Sequence, residues 1–155
     1  MNRDLARLRA VADYQFGKGA GAALFSDDTR VEYSRNTGKP RHLYASGELV
    51  ANYRPNDALY TVTIAGARRL AALEGFRYTV RVRDDVVEYV ELGRNVFAKH
   101  VVDAGEPIRP GDEVVVVDGG GEVVAVGKSK MNRGDMLSFE TGAAVRVRRG
   151  RKKDR

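Results

Sequence analysis

Ile108-Arg109-Pro110-Gly111-Asp112-Glu113-Val114-Val115-Val116-Val117, then Gly121-Glu122-Val123-Val124-Ala125-Val126-Gly127-Lys128, is the stretch that decides the fold. Pro110-Gly111 forms a turn, and the valine run after it predicts a buried strand over 112–118. Gly119-Gly120-Gly121 supplies the next turn, and a second strand is expected over 122–128. Two short strands with glycine and proline turns fit a small barrel.

Working outward, residues 77–83 alternate strictly. Tyr78, Val80 and Val82 face one way, while Arg77, Thr79, Arg81 and Arg83 face the other. Asp84-Asp85 places acids at the start of a helix expected to reach Leu92. Gly93-Arg94-Asn95 reads as a loop, 96–102 as a strand and 134–140 as a short helix. A last strand is expected over 143–149, with Val145 and Val147 inward and Arg146 and Arg148 outward. Short strands punctuated by glycine and proline predict a small β pseudo-barrel.

The first half differs. Leu5, Leu8, Val11, Ala12 and Phe16 recur at three and four, so 2–16 reads as an amphipathic helix capped by Asn2. Gly17 and Gly19 end it, and a short helix is expected over 20–24. Strands are expected at 29–34, 40–45, 48–53 and about 58–62, forming an antiparallel meander. A helix over about 63–74 follows, closed by Gly75. The fold class is therefore α+β: a small α+β domain with flanking helices over 1–76, a barrel over 77–150 and a basic tail over 151–155.

With 155 residues, the chain accommodates one domain or two small ones. It has no cysteine, which excludes disulfides, thiolate zinc sites and cysteine nucleophiles. No stretch is apolar enough to cross a bilayer, and a cytoplasmic location is expected. The net charge is +6, and the segment 146–155 carries all of it. Such a block attracts phosphates irrespective of sequence, although basic tails also serve solubility alone.

Several local patterns invite chemistry. Gly17-Lys18-Gly19-Ala20-Gly21 follows a helix and lacks the Ser/Thr ending of a phosphate loop, so it reads as a helix terminator. The pairs Asp27-Asp28 and Asp84-Asp85 read as turn and helix starts. His42 and His100 have no neighbours at metal-ligand spacing, and no metal, cofactor or catalytic residue is expected. Tyr14, Tyr33, Tyr44, Tyr53 and Tyr60 could stack on bases, but their alternation favours packing.

The order of these segments carries a resemblance. Val96-Phe97-Ala98-Lys99-His100-Val101-Val102-Asp103, the Ile108–Val117 run and the Gly121–Lys128 run together resemble the PUA domain over residues 77–149. Asp13-Tyr14-Gln15-Phe16-Gly17-Lys18-Gly19, Glu32-Tyr33-Ser34 and Arg54-Pro55-Asn56-Asp57 look like the small domain preceding PUA in archaeal archaeosine tRNA-guanine transglycosylases and their paralogues. In that family these paired domains hold tRNA, while a TIM-barrel domain carries the chemistry. This sequence shows neither that barrel nor cysteines for the family's zinc site, so a non-catalytic role is expected.

The resemblance implies an RNA surface at Gly93, Arg94, Asn95, Phe97, Ala98, Lys99 and His100. Such a surface reads backbone shape, 2′-hydroxyls and unpaired ends. Arg77, Arg81, Arg83, Arg146 and Arg148 would join it if the first and last barrel strands pair, as the resemblance implies. The expected partner is tRNA or another structured RNA, with a separate modifying enzyme. The alternatives are an RNA-modifying enzyme with an unrecognised site, and a ribosome-biogenesis or protein-interaction module.

Overall fold

The computed structural model describes residues 3–152, with side chains from Asp4 onward. The expected cap at Asn2 and the tail residues Lys153, Asp154 and Arg155 lie outside the described residues. The chain divides into two compact units, residues 1–76 and 77–155.

The first unit opens with α1 (Arg3–Phe16) and α2 (Ala20–Leu24). Leu5, Leu8, Ala12 and Phe16 of α1 are buried, as the three-four spacing requires. Gly17 and Gly19 both adopt positive φ and end the helix. Asp13 then caps the second helix, its Oδ1 accepting from the Gly21 amide at 2.7 Å. Strands β1 (Arg30–Tyr33), β2 (Pro40–Ala45), β3 (Glu48–Arg54) and β4 (Leu59–Val62) form an antiparallel meander in sequence order. Helix α3 (Ile64–Ala71) packs on β3, and Thr63 caps it through the Gly66 amide.

Gln15 staples α1 to β4. Its side-chain amide donates to the Tyr60 carbonyl and accepts from the Tyr60 amide, both at 2.8 Å. The Tyr60 hydroxyl donates to the Leu8 carbonyl at 2.9 Å inside the core. Arg54 and Asp57 clasp the β3–β4 turn, where the Asp57 carboxylate also accepts from the Leu59 amide. The expectation that the tyrosines pack holds for Tyr60, which is buried, and partly for Tyr44 and Tyr53. Tyr14 is 84% exposed and Tyr33 44% exposed.

The second unit is a nearly closed mixed barrel. Its strands are β5 (Thr79–Val82), β6 (Val96–Phe97), β7 (Val101–Ala104), β8 (Glu113–Val117), β9 (Val123–Ser129) and β10 (Ala143–Gly150). The spatial order is β6-β10-β9-β8-β5-β7, with β5 and β8 parallel and the other pairs antiparallel. The expected strand over 96–102 is in fact two short strands around a 3-10 turn at Ala98–His100. That turn lets one segment serve both edges of the sheet and so bring the barrel near closure. The helix expected over 84–92 is a 3-10 turn at Asp84–Val86 running into α4 (Val87–Val90). Helix α5 (Arg133–Ser138) packs on β7 and the 98–100 turn. Val80, Val82, Ile108, Val114, Val116, Val124 and Met136 fill the core.

Strand β10 departs from simple alternation. Val147 pairs with Gly127 and Arg149 with Val126, so Arg148 is the extra residue of a β-bulge. At the bulge Arg148 binds the carboxylate of Glu113, with one bond of 2.8 Å and a second, shorter one. The Glu113 side chain is 1% exposed and that of Arg148 39%. Beyond it, Gly150 passes close to α4: a Cβ there would lie 2.2 Å from the Glu91 carbonyl oxygen. Arg151 and Lys152 then close on the Glu91 carboxylate at 2.8 and 3.2 Å. Burial raises the Glu91 pKa, but the hydrogen bonds and charges of Arg151 and Lys152 outweigh it and hold the carboxyl below its usual value.

Arg148→Ala leaves a buried carboxylate without its guanidinium and should cost about 2–3 kcal/mol, below the fully buried figure because the arginine end reaches solvent. Glu113→Gln should cost less, since Arg148 can turn into water. Urea denaturation of the two variants checks this order, and equal losses would place the cost in the bulge rather than in the charge pair.

The Glu91 cluster gives a pH dependence of known sign. Its pKa is lowered on folding, so the stabilisation is complete above the ordinary glutamate value and disappears as pH falls through the folded value. Amide exchange at Arg151 and Lys152, corrected for intrinsic rates, should accelerate over that acid range. In Glu91→Gln the acceleration should vanish.

Candidate nucleic-acid interface

The segment from Gly93 to His100 lies along β10. Gly93, at φ 105, ends α4 in the left-handed region, and its amide donates to the Val90 carbonyl at 2.9 Å. The next residue, Arg94, is exposed. Asn95 has a structural duty: its Oδ1 accepts from the Val147 amide at 3.0 Å and holds the loop against β10. Val96 pairs with Val145 and Phe97 with Ala143.

Phe97 is 45% exposed, with its ring 6.1 Å from the His100 ring in an edge arrangement. Lys99 is exposed between them. Burial lowers the His100 pKa first, and the charges of Lys99 and Arg83 lower it further, against a weaker opposing effect of Asp85. His100 therefore meets a ligand at neutral pH as an uncharged donor and acceptor, leaving Arg94 and Lys99 as the segment's cations. Ala98 is 2% exposed, so its side chain offers no surface. That expectation is corrected: the 3-10 turn points Ala98 inward and its neighbours outward.

The arginines separate into two groups. Strands β5 and β10 do not pair, because β8 and β9 lie between them. At about 4.8 Å per strand the two arginine strands are roughly 14 Å apart across the sheet alone. Their register displaces them further, since Arg81 aligns with Val117 while Arg146 aligns with Lys128 and, through it, with Glu113. The outward valines Val115, Val117 and Val126 between them are buried. The barrel sheet therefore does not form one continuous basic face.

Within the first group, Arg83 forms a two-point bond with Asp85, and Arg81 donates to the Gly119 carbonyl at 3.1 Å. Arg77 is exposed just before β5 begins. Arg148 in the second group is the partner of Glu113, so its charge is balanced within the fold. Arg146 is exposed and sits opposite Lys128, with Lys130 exposed just past the end of β9.

Exposed cations thus stand on β10 (Arg146), at the end of β9 beside it (Lys128, Lys130) and just before and after β6 in the chain (Arg94, Lys99), where Phe97 is also exposed. Lys128 and Lys130 were not among the expected site residues. Their period-two spacing at the end of β9 is visible in the sequence, but its relevance depends on knowing that β9 borders β10. Among the described residues no cluster of three or more histidines and carboxylates could hold a metal ion, and no helix is long and apolar enough to cross a membrane.

Comparison with known proteins places both units. Residues 6–74 match the patch-forming domain C2 of tRNA-guanine transglycosylase, and residues 78–151 match the PUA domain. A tRNA-guanine(15) transglycosylase of Methanothermobacter thermautotrophicus is 43% identical over 148 residues, covering 95% of this chain and 23% of that protein. The Thermococcus kodakarensis protein of the same name is 47% identical over 142 residues, covering 91% and 24%. The chain thus spans about a quarter of the length of these curated relatives. Among solved structures, a hypothetical protein of Pyrococcus horikoshii shares the fold, with TM-score 0.76, 23% identity and coverage of 97% and 91%. With both domains matched in order over residues 6–151, the chain is a PUA-domain protein of the type formed by the C-terminal C2 and PUA part of archaeal tRNA-guanine transglycosylases.

Proposed function

We propose that the chain binds tRNA or another structured RNA through its second unit and serves RNA modification without itself carrying out the chemistry. The observation behind this reading is the strip of exposed cations on β10 and the segments beside it, Arg94, Lys99, Lys128, Lys130 and Arg146, with the Phe97 ring exposed on β6. Cations spaced along a strand edge meet successive phosphates, and an aromatic face among them takes an unpaired base. The curated relatives are named for tRNA-guanine transglycosylation, which makes tRNA the first RNA to test. The strip's side chains, which are cations, a phenyl ring and an uncharged imidazole, support binding, and the accessory role is part of this reading. A separate modifying enzyme is the partner this reading calls for.

Affinity should come mainly from the backbone and fall steeply with salt. Each phosphate neutralised contributes about 0.7–0.9 to the log–log slope. Filter binding of unmodified tRNA should give a slope of several units, and Lys99→Ala and Arg146→Ala should each reduce it by about one. A flat salt profile would remove the proposal. Release of base from tRNA by this chain alone, read by mass spectrometry, would replace the accessory role with an enzymatic one.

A further inference from the structure

The first unit contains a cleft that neither its packing nor the strip on the second unit uses. It lies between the start of α1 and the β1–β2 hairpin and has a volume of about 340 Å³. That is at the small end of the roughly 300–1,000 Å³ range of ligand pockets, a size for one base and its sugar rather than a helix or a peptide.

Its lining is mixed: Leu8, Val11 and Pro40 are apolar, and Tyr33 and Tyr53 are aromatic. Tyr33 stands 44% exposed, which leaves ring surface available for stacking. Its hydroxyl donates to Asp4 Oδ2 at 2.8 Å, tying the hairpin to α1 across 29 residues of sequence. That bond, with partial burial and the Asp4 charge, raises the Tyr33 pKa, so the phenol stays protonated and keeps Asp4 in place. The hairpin tip is itself fixed, since Ser34 bonds to the Lys39 carbonyl and Gly38 to the Ser34 carbonyl. Arg7 and Lys39, both exposed, stand at the lining from opposite elements.

We infer that this cleft binds one unstacked nucleotide of an RNA strand, its base against Tyr33 and its phosphate between Arg7 and Lys39. Asp4 then faces the base edge. A carboxylate accepts several hydrogen bonds at once, so it favours bases that carry an amino group. It disfavours uracil, whose single N–H lies between two carbonyl oxygens that repel it. The site belongs to the first unit and stands independently of the reading of the second.

Titration of the full ¹⁵N-labelled chain with nucleoside 5′-monophosphates tests this. Millimolar AMP, CMP or GMP should shift the amides of Val11, Tyr33, Gly38 and Lys39, and UMP should bind several-fold more weakly. Tyr33→Leu should lower AMP affinity at least tenfold. Arg7→Ala combined with Lys39→Ala should weaken the monophosphates but leave adenosine unchanged, a split that a folding defect would not give. A single-stranded RNA pentamer containing one adenosine among uridines should shift the same amides at lower concentration. Lys99→Ala with Arg146→Ala should leave all of these values unaltered, which separates this site from the strip on the second unit. No shift at these amides, an equal response to inorganic phosphate alone, or mononucleotide binding that the pentamer cannot reproduce would overturn the inference.

Discussion

A buried carboxylate sets the course of the last strand. Glu113 opens β8 with its side chain almost fully covered, and a charge in that position needs a partner. The partner comes from β10, where one extra residue makes a bulge and Arg148, the residue at that bulge, binds Glu113. Every residue after the bulge is then displaced by one position relative to β9. That displacement carries Gly150 past the Glu91 carbonyl and sets Arg151 and Lys152 on the Glu91 carboxylate.

This geometry changes the meaning of the net charge. The sequence assigns all of the +6 to the last ten residues, which reads as a free basic arm. In the folded chain Arg148, Arg151 and Lys152 are instead drawn onto two glutamates, each of which lies far away in sequence. The cations left facing outward include Lys128 and Lys130, which the charge block did not point to. A count of basic residues therefore measures long-range attraction for phosphate, while the surface available for contact depends on which of them the fold has already paired.

Most elements were readable because each has a local cause. The three-four spacing in α1, the glycine pair that ends it and the meander in the first unit all declare themselves within a few residues. The 96–102 segment was less legible. Val96-Phe97 at one end and Val101-Val102 at the other read as one strand, but barrel closure requires it to turn at Ala98 and serve two edges. The arginine face failed for a similar reason. Alternation tells which way Arg81 and Arg146 point, but only the strand order tells that two strands and a row of buried valines separate them. Asn95 illustrates the limit at a single residue: a loop asparagine beside an arginine looks like an RNA contact, and its carbonyl is already taken by the Val147 amide.

The motifs that carried the family resemblance turn out to be largely structural. Gln15 staples α1 to β4, Asp57 organises the β3–β4 turn, Asp13 caps α2, and Glu113 binds Arg148 at the bulge. Such residues are specific because a particular fold cannot close without them, so they identify the fold far better than they identify what it binds. The side chains free to meet a ligand, among them Lys99, Lys130, Arg146, Arg7 and Lys39, are ordinary surface cations that no short motif distinguishes. Resemblance and chemistry thus rest on different residues in this chain, and a relative that keeps the first set while losing the second would retain the architecture and lose the interface.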